Sequence, residues 1–338
     1  MARQIREVSE AMRKLLADSG NDNPGVARAA QAELAKALTL PLRQGVLKGD
    51  IVENIYQTVR FDPGVSPEFP LDILAPGTER DFVAYTMPNH GRIPERHVEG
   101  DYVMVPTYDV GSSIDWLLKY SRDARWDIVG RAMQILEATF VRKNNNDGWR
   151  VLLSAGKNRG IMVYDDVAVQ GLFTKRLVAL MKTVMRRNAF GNSTSLNQGR
   201  LTDLYVSPEA LEDMRTWDLT QVDDFTRREI FMKNEGNGEY SVTNFFGVNL
   251  HDIDELGVGQ EYQLYFTSTL GGSLSAGKVE LVVGLDLDKD DSFVRPLRQE
   301  VQVFEDETLH RQRRAGYYAW LEGGFACLDS RRCLLGSL

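Results

Sequence analysis

Apolar residues recur along the chain with two periods, and the periods change at definable points. Trp126, Val129, Met133, Leu136 and Phe140 follow one another in steps of three and four residues, which predicts a long amphipathic helix within SRDARWDIVGRAMQILEATFVRKNNNDG, residues 121–148. The run Asn144 to Gly148 reads as its stop. Phe173, Leu177, Leu180 and Val184 keep the same rhythm and predict a second helix over about 170–188. At the N-terminus Ile5, Val8, Met12, Leu15 and Leu16 form one stripe over 3–17. Gly20 and Pro24 interrupt it, and an alanine-rich helix follows over about 26–38. From Pro41 to about residue 74 the chain is punctuated by proline and is expected to be extended, lying across other surfaces instead of forming a core.

Elsewhere the rhythm shortens to that of strands. Arg80–Met87 and Asp101–Tyr108 are rich in aromatic and β-branched residues and flank a polar tip. Pro88, Pro94 and Pro106 exclude a helix there, so Met87–Pro106 reads as the end of a long hairpin. An isolated hairpin is marginal in water and must lie on something else. In LTDLYVSPEALEDM a short strand leads to Ser207 as helix cap and Pro208 at the first helical position. NFFGVNLHDIDELGVGQEYQLYF gives two strands, KVELVVGLDL another, and the tail from residue 295 reads as late strands. Helices and strands are segregated instead of alternating as βαβ units, so the class is α+β.

At 338 residues there is ample length for two or three domains, and 43% apolar with 26% charged residues is ordinary for a globular chain. No stretch approaches the roughly 20 apolar residues of a membrane span. The first residues, MARQIREVSEAMRKLL, carry acids and resemble no targeting peptide. Cys327 and Cys333 are the two cysteines, too few for a disulfide framework and suited to a reducing cytoplasm, although a single pair stays open. The net charge of −8 is unevenly spread: residues 1–48 hold eight cations against five acids, and 309–338 hold five arginines against two acids. An acidic whole with mildly basic ends does not suit a sequence-specific DNA binder, but its ends can meet phosphates.

Three stretches come near to known chemistry. His90 and His97, with Glu95 and Glu99 beside them, share the hairpin tip with Arg92 and Arg96. A metal site needs three or four donors at fixed spacing, and no HExxH or paired CxxC is present, so these side chains are read as solvated or interfacial. Gly272–Lys278 matches G-x4-G-K, but Val279 stands where a Mg²⁺-binding hydroxyl belongs and a strand follows where a helix is needed; it reads as a glycine-rich turn. Asp286, Asp288 and Asp290 begin like a Ca²⁺ loop, yet Asp291 replaces the turn glycine and Leu297 the bidentate glutamate, so a solvated acidic turn is expected. No G-x-S-x-G elbow or cysteine nucleophile setting exists, and the chain is expected to be no enzyme and to carry no cofactor.

The order of these elements resembles a major capsid protein of a tailed bacteriophage, with the Hong Kong 97 phage-type fold. The cues are the N-terminal helical arm, the extended crossing segment, the long hairpin, the long helix, the unit LYVSPEALEDM, FFGVNL with its acidic continuation, and the late strand block. The resemblance implies an N-terminal arm over 1–74 and an extended hairpin (E-loop) over 75–112. It implies a peripheral domain over 113–200 with 292–338, its spine helix at 122–145, and an axial domain over 201–291. Arg80, His90, Arg92, Glu95, Arg96, His97 and Glu99 then become inter-subunit contacts, with the hairpin tip on an adjacent subunit. The implied partners are the chain itself in hexamers and pentamers, a portal, a decoration protein where one is used, and packaged double-stranded DNA met non-specifically; no membrane is involved. No prodomain of about a hundred residues precedes the arm, so a separate scaffolding protein is expected. Assembly would occur in the host cytoplasm and the product would be the virion. Some capsids of this fold weld hairpins to neighbours through a lysine–asparagine isopeptide bond, but between Lys48 and Lys119 this chain has no lysine. An encapsulin-type nanocompartment shell and an oligomeric α+β enzyme are the alternative readings.

Overall fold

The computed structural model describes residues 10–21, 23–49, 51–62, 64–71, 101–123, 125–187, 199–215, 217, 244–275, 277–288 and 292–338. The chain divides into two compact units. The first comprises Met1–Glu68, Met104–Gly148 and Arg295–Phe325; the second comprises Phe69–Val103, Trp149–Val294 and Ala326–Leu338.

The first unit is a sheet covered on one face by helices. Its strands run in the order β1 (Gln57–Arg60), β10 (Phe293–Glu305), β11 (Arg314–Gly323) and β4 (Tyr108–Leu117). β11 and β4 pair antiparallel without a break from Arg314↔Leu117 to Gly323↔Tyr108. β10 pairs antiparallel with β11 and is irregular between Leu297 and Gln302. Side chains alternate across these strands. Trp116, Val301, Val303, Ala315, Tyr317, Ala319 and Leu321 share a core with residues from α1 (Glu10–Ser19), α2 (Pro24–Gly49) and α4 (Trp126–Arg159). Trp116 stacks on Tyr317 at 5.3 Å between ring centres, and its indole N–H donates to Ser121 Oγ at 2.8 Å. Asn23 caps α2: Gly25 N–H donates to Asn23 Oδ1 at 3.1 Å and Pro24 takes the first helical position. Gln31 Nε2 donates to the carbonyl of Ser19 at 3.0 Å, which fixes the turn between α1 and α2.

Two helices run past the ends expected from sequence. α2 continues through Pro41 to Gly49, so residues 41–49 are helical where an extended segment was expected. An interior proline costs roughly 3 kcal/mol. Leu34, Leu38 and Leu42 stay buried on the same stripe on both sides of it, and burying each such side chain gains about 1.5–3 kcal/mol, so continuation wins. α4 continues to Arg159 instead of stopping at 144–148. Gly148 is a point of close approach: a Cβ there would lie 2.5 Å from Val52 Cγ1. Val52 N–H donates to Asn145 Oδ1 at 3.4 Å, and Tyr56 O–H donates to the carbonyl of Gly148 at 2.9 Å. Beyond it Trp149, Leu152 and Leu153 are fully buried. The side chain of Trp126, at the head of the expected stripe, lies outside the described residues, as do residues 3–9 of the first expected helix.

The second unit holds a six-stranded mixed sheet in the order β5 (Met162–Tyr164), β13 (Cys333–Ser337), β9 (Leu281–Leu285), β6 (Asp203–Val206), β8 (Val248–Asp252) and β7 (Asn244–Phe245). β5 runs parallel to β13 and β6 parallel to β8; the remaining described pairs are antiparallel. α5 (Lys175–Arg187) and α6 (Pro208–Arg215) pack on it through Leu177, Val178, Met181, Met185, Ala210 and Met214. Ser207 caps α6 as its sequence predicts, accepting from Ala210 N–H at 3.2 Å, and it donates to Glu280 Oε2 at 2.8 Å. EYQLYF opens a short helix, Glu261–Leu264, so the two strands of that region are β7 and β8. A separate two-stranded sheet joins β2 (Glu68–Leu71) to β3 (Asp101–Met104), and β12 (Ala326–Cys327) pairs with the start of β10.

The acidic turn after β9 is not solvated at its first member. Asp286 is fully buried, ion-paired to Arg332 and accepting from Arg200 N–H at 2.9 Å. A buried carboxylate needs such partners, because desolvation without them costs several kcal/mol. The turn is therefore anchored to the start of β13 through Arg332. The glycine-rich stretch 272–278 does lead into a strand, and Lys278 Nζ donates to the carbonyl of Ala168 at 3.1 Å. Both cysteines are free thiols.

Two substitutions test this core. Phe140→Ala is expected to destabilise the unassembled chain by about 3–5 kcal/mol in urea; a loss below about 1 kcal/mol would show that the stripe does not face a core. Asp286→Ala should cost about 3–5 kcal/mol by leaving Arg332 uncompensated, and adding Arg332→Met should recover part of that loss. An undiminished loss in the double variant would mean that Asp286 acts without Arg332.

Candidate assembly surfaces

The contacts expected at Arg80, His90, Arg92, Glu95, Arg96, His97 and Glu99 lie outside the described residues. Two other surfaces emerge from the packing, one in each unit. In the first unit, helices cover one face of the sheet, and the opposite face carries Phe304, Tyr318 and Trp320. Tyr318 stacks on Phe304 at 5.5 Å, and Trp320 meets Phe304 edge-on at 5.7 Å. The register places Ser113 beside Tyr318 and Gly111 beside Trp320 on β4, so the neighbouring strand offers no bulk to cover the rings. Tyr318 stays 39% exposed and Trp320 44%. Around them stand ion pairs, Arg314 with Asp115 at 2.8 Å and Arg298 with Glu322 at 3.2 Å. Aromatic anchors inside a charged rim are the composition of protein interfaces.

In the second unit, the pairing directions bring the C-terminal ends of β5, β13, β6 and β8 to one end of the sheet. The connection from β5 to α5 lies there and presents Val167 and Val169, 74% and 72% exposed. Its backbone is held: Val167 N–H and Thr174 O–H donate to the two oxygens of Asp165 at 3.1 and 2.8 Å, and Arg176 lies 3.3 Å away. Burial works against ionised Asp165, but Thr174, the Val167 amide and Arg176 outweigh it and hold its pKa below the ordinary value. The loop thus keeps a defined shape while showing two aliphatic side chains to solvent.

Catalytic geometry is weaker. His251 Nε2 lies 2.9 Å from Asp203 Oδ1, and its ring stacks on Tyr205 at 4.7 Å. Burial opposes the charge of Asp203, yet His251, Thr202 and Asn249 outweigh it and lower its pKa. Burial raises Tyr205 above the usual phenol value. These groups tie β6 to β8 and suit a structural bond across the pair. Among the described residues no group of three or more His, Cys, Asp or Glu is arranged to hold a metal ion, and no helix is long and apolar enough to cross a membrane.

Sequence reasoning missed both surfaces. The signal for the first was present in RAGYYAWLEG, where apolar residues occupy both faces of one strand. The signal for the second, the run VAV between Asp166 and Gln170, is too short to separate from a buried strand.

No protein-family model and no curated protein matches the chain. Solved structures do match over most of its length. The cyanophage Pam1 capsid is similar with a TM-score of 0.57 at 11% identity, over 84% of this chain and 88% of that one. A chain of Microbacterium phage Oxtober96 gives 0.55 at 10% identity, over 86% and 90%. The capsid of an empty GTA particle gives 0.52 at 10% identity, over 86% and 90%. With an α+β chain, two large sheets, a long helix and this correspondence over 84–86% of its length, the protein has the Hong Kong 97 phage-type capsid fold.

Proposed function

We propose that the chain is a major capsid protein that self-assembles through hexamers and pentamers into the icosahedral head shell enclosing phage double-stranded DNA. The observation that carries the reading is the fold shared with the cyanophage Pam1 capsid along 84% of the chain. The exposed rings support it on physical grounds. An aromatic side chain presents 150–250 Å², so one about 40% exposed leaves roughly 80 Å² in water, and covering it gains about 2 kcal/mol. Such a patch is too small for a stable dimer alone, but a closed shell repeats every contact in each subunit.

Within this reading, residues 1–74 act as the arm, 75–112 as the extended hairpin and 201–291 as the axial domain, with 113–200 and 292–338 assigned to the peripheral domain. On this reading β5, α5 and β13, which share the six-stranded sheet and its core, go with the axial part. Arg80, His90, Arg92, Glu95, Arg96, His97 and Glu99 act at subunit contacts. Assembly takes place in the host cytoplasm with a separate scaffolding protein and a portal, and the finished shell resides in the virion.

Negative-stain microscopy of the expressed protein, with scaffold supplied, should show closed particles. Deleting residues 88–100 should leave circular dichroism unchanged and sharply lower particle yield. Small discrete oligomers from the intact chain would sink the shell reading, and normal shells from the deletion would remove the hairpin's role.

Reinforcement of the shell should be non-covalent. The hairpin's cations are Arg80, Arg92 and Arg96, and a guanidinium cannot lose a proton to become the attacking amine. Mature particles boiled in denaturant should run as one band near 38.1 kDa. A ladder of covalent multimers would refute this.

A further inference from the structure

Charge in the first unit is divided between its two layers. Helices α1, α2, α3 (Leu118–Arg122) and α4 as far as Gly148, with the turn after α3, carry ten exposed lysines and arginines among the described side chains. The described side chains of the same segments include five carboxylates outside the core, Asp18, Glu33, Asp123, Glu137 and Asp147, the last paired with Lys143. The strands of the sheet layer carry the opposite balance, five carboxylates against four arginines. Three of those arginines are ion-paired within the layer: Arg60 with Glu300, Arg298 with Glu322 and Arg314 with Asp115. In a chain of net charge −8, cations have been gathered on one side.

Among the described side chains, the large apolar ones exposed on the helix side are Val26 and Ile135, whereas Tyr318 and Trp320 stand on the sheet side. Protein interfaces deplete charge at their centres and place aromatic anchors there. A cationic surface whose described side chains include no exposed aromatic anchor suits a polyanion held by its backbone charge. Arg131 and Arg142 stand eleven residues apart on α4, about 16 Å along the axis. Duplex DNA carries one charge per roughly 1.7 Å, so phosphates are available to every cation whatever the register. The helices are packed against the sheet through a shared core, which favours phosphate contact from their outer faces over insertion into a groove, and phosphate contact carries no sequence information.

We propose that this helix layer, marked by Arg13, Lys14, Arg28, Arg122, Arg131 and Arg142, is the surface that faces the enclosed duplex, binding it without sequence preference. The inference rests on the shell reading and adds to it an orientation: the aromatic sheet face is turned away from the nucleic acid.

The test uses the full-length unassembled chain and a fluorescent 30-base-pair duplex of random sequence, titrated between 50 and 200 mM salt. About six phosphate contacts should weaken wild-type binding roughly 10³-fold across that range. Replacing the six named residues with glutamine should flatten the salt dependence and weaken binding at 50 mM by at least about 100-fold. A milder variant, Arg13→Gln with Lys14→Gln and Arg28→Gln, should reduce the log–log salt slope by about 3 and covers the case where the larger one does not fold. Arg60→Gln with Arg314→Gln, on the sheet layer, should bind like wild type. Helix-layer variants that bind like wild type would overturn the assignment, as would tighter binding of poly-glutamate than of duplex, which would give the face to an acidic protein. Wild-type particles are imaged from the same preparation. Closed shells with failed DNA binding would sink this inference alone, and absence of shells would sink the reading beneath it.

Discussion

A sheet has two faces, and among the described residues the sheet of the first unit has helices on only one of them. The rest of its character follows from that constraint. Alternation puts Val301, Val303, Ala315, Tyr317, Ala319 and Leu321 beneath α1, α2 and α4, and it puts Phe304, Tyr318 and Trp320 on the other side. Because Gly111 and Ser113 flank those rings, nothing on β4 shields them. The same one-sided covering separates the charges, since the helices have an outer surface and the rings have theirs. A sheet packed on both faces would have buried the aromatic cluster and offered neither surface.

The second unit satisfies its sheet more completely. Every residue of β6, β9 and β13 is buried. Asp286 with Arg332 and Ser207 with Glu280 are bonds made inside the protein, where an unmatched partner would be expensive. Its exposed apolar residues include Val167 and Val169 on a connection, with Tyr102 on β3 and Tyr164 on β5. Solvent-facing apolar side chains on loops with fixed backbones are the same kind of feature as the uncovered rings, reached by another route.

Much of the fold was legible in the sequence because helix and strand periods are local. The stripe through Val129, Met133, Leu136 and Phe140, the Ser207–Pro208 start of α6, and the strands of KVELVVGLDL and the tail all follow from neighbours a few residues apart. What was not legible depended on distant residues. Gly148 looks like a stop until Val52 is placed against it, and Pro41 looks like a break until Leu42 is seen to reach the core. Asp286 reads as solvated until Arg332 arrives from 46 residues away. The candidate surfaces were hidden for a related reason. Strand alternation shows that RAGYYAWLEG has two apolar faces, but only the register with Gly111 and Ser113 shows which one is left open.

The two thiols have a practical consequence. Cys333 is wholly enclosed, and burial pushes its pKa up to about 12; burial also lifts Cys327 well above the usual thiol value. Thiolate is the reactive form, so at neutral pH enclosed Cys333 is nearly inert toward alkylating reagents, and half-buried Cys327 reacts more slowly than an open thiol. The native chain is therefore a quiet background for labelling. A single cysteine introduced on an exposed strand or helix would be the one fast-reacting sulfur in the molecule, and a dye or spin probe could be placed on either layer without first removing the natural pair.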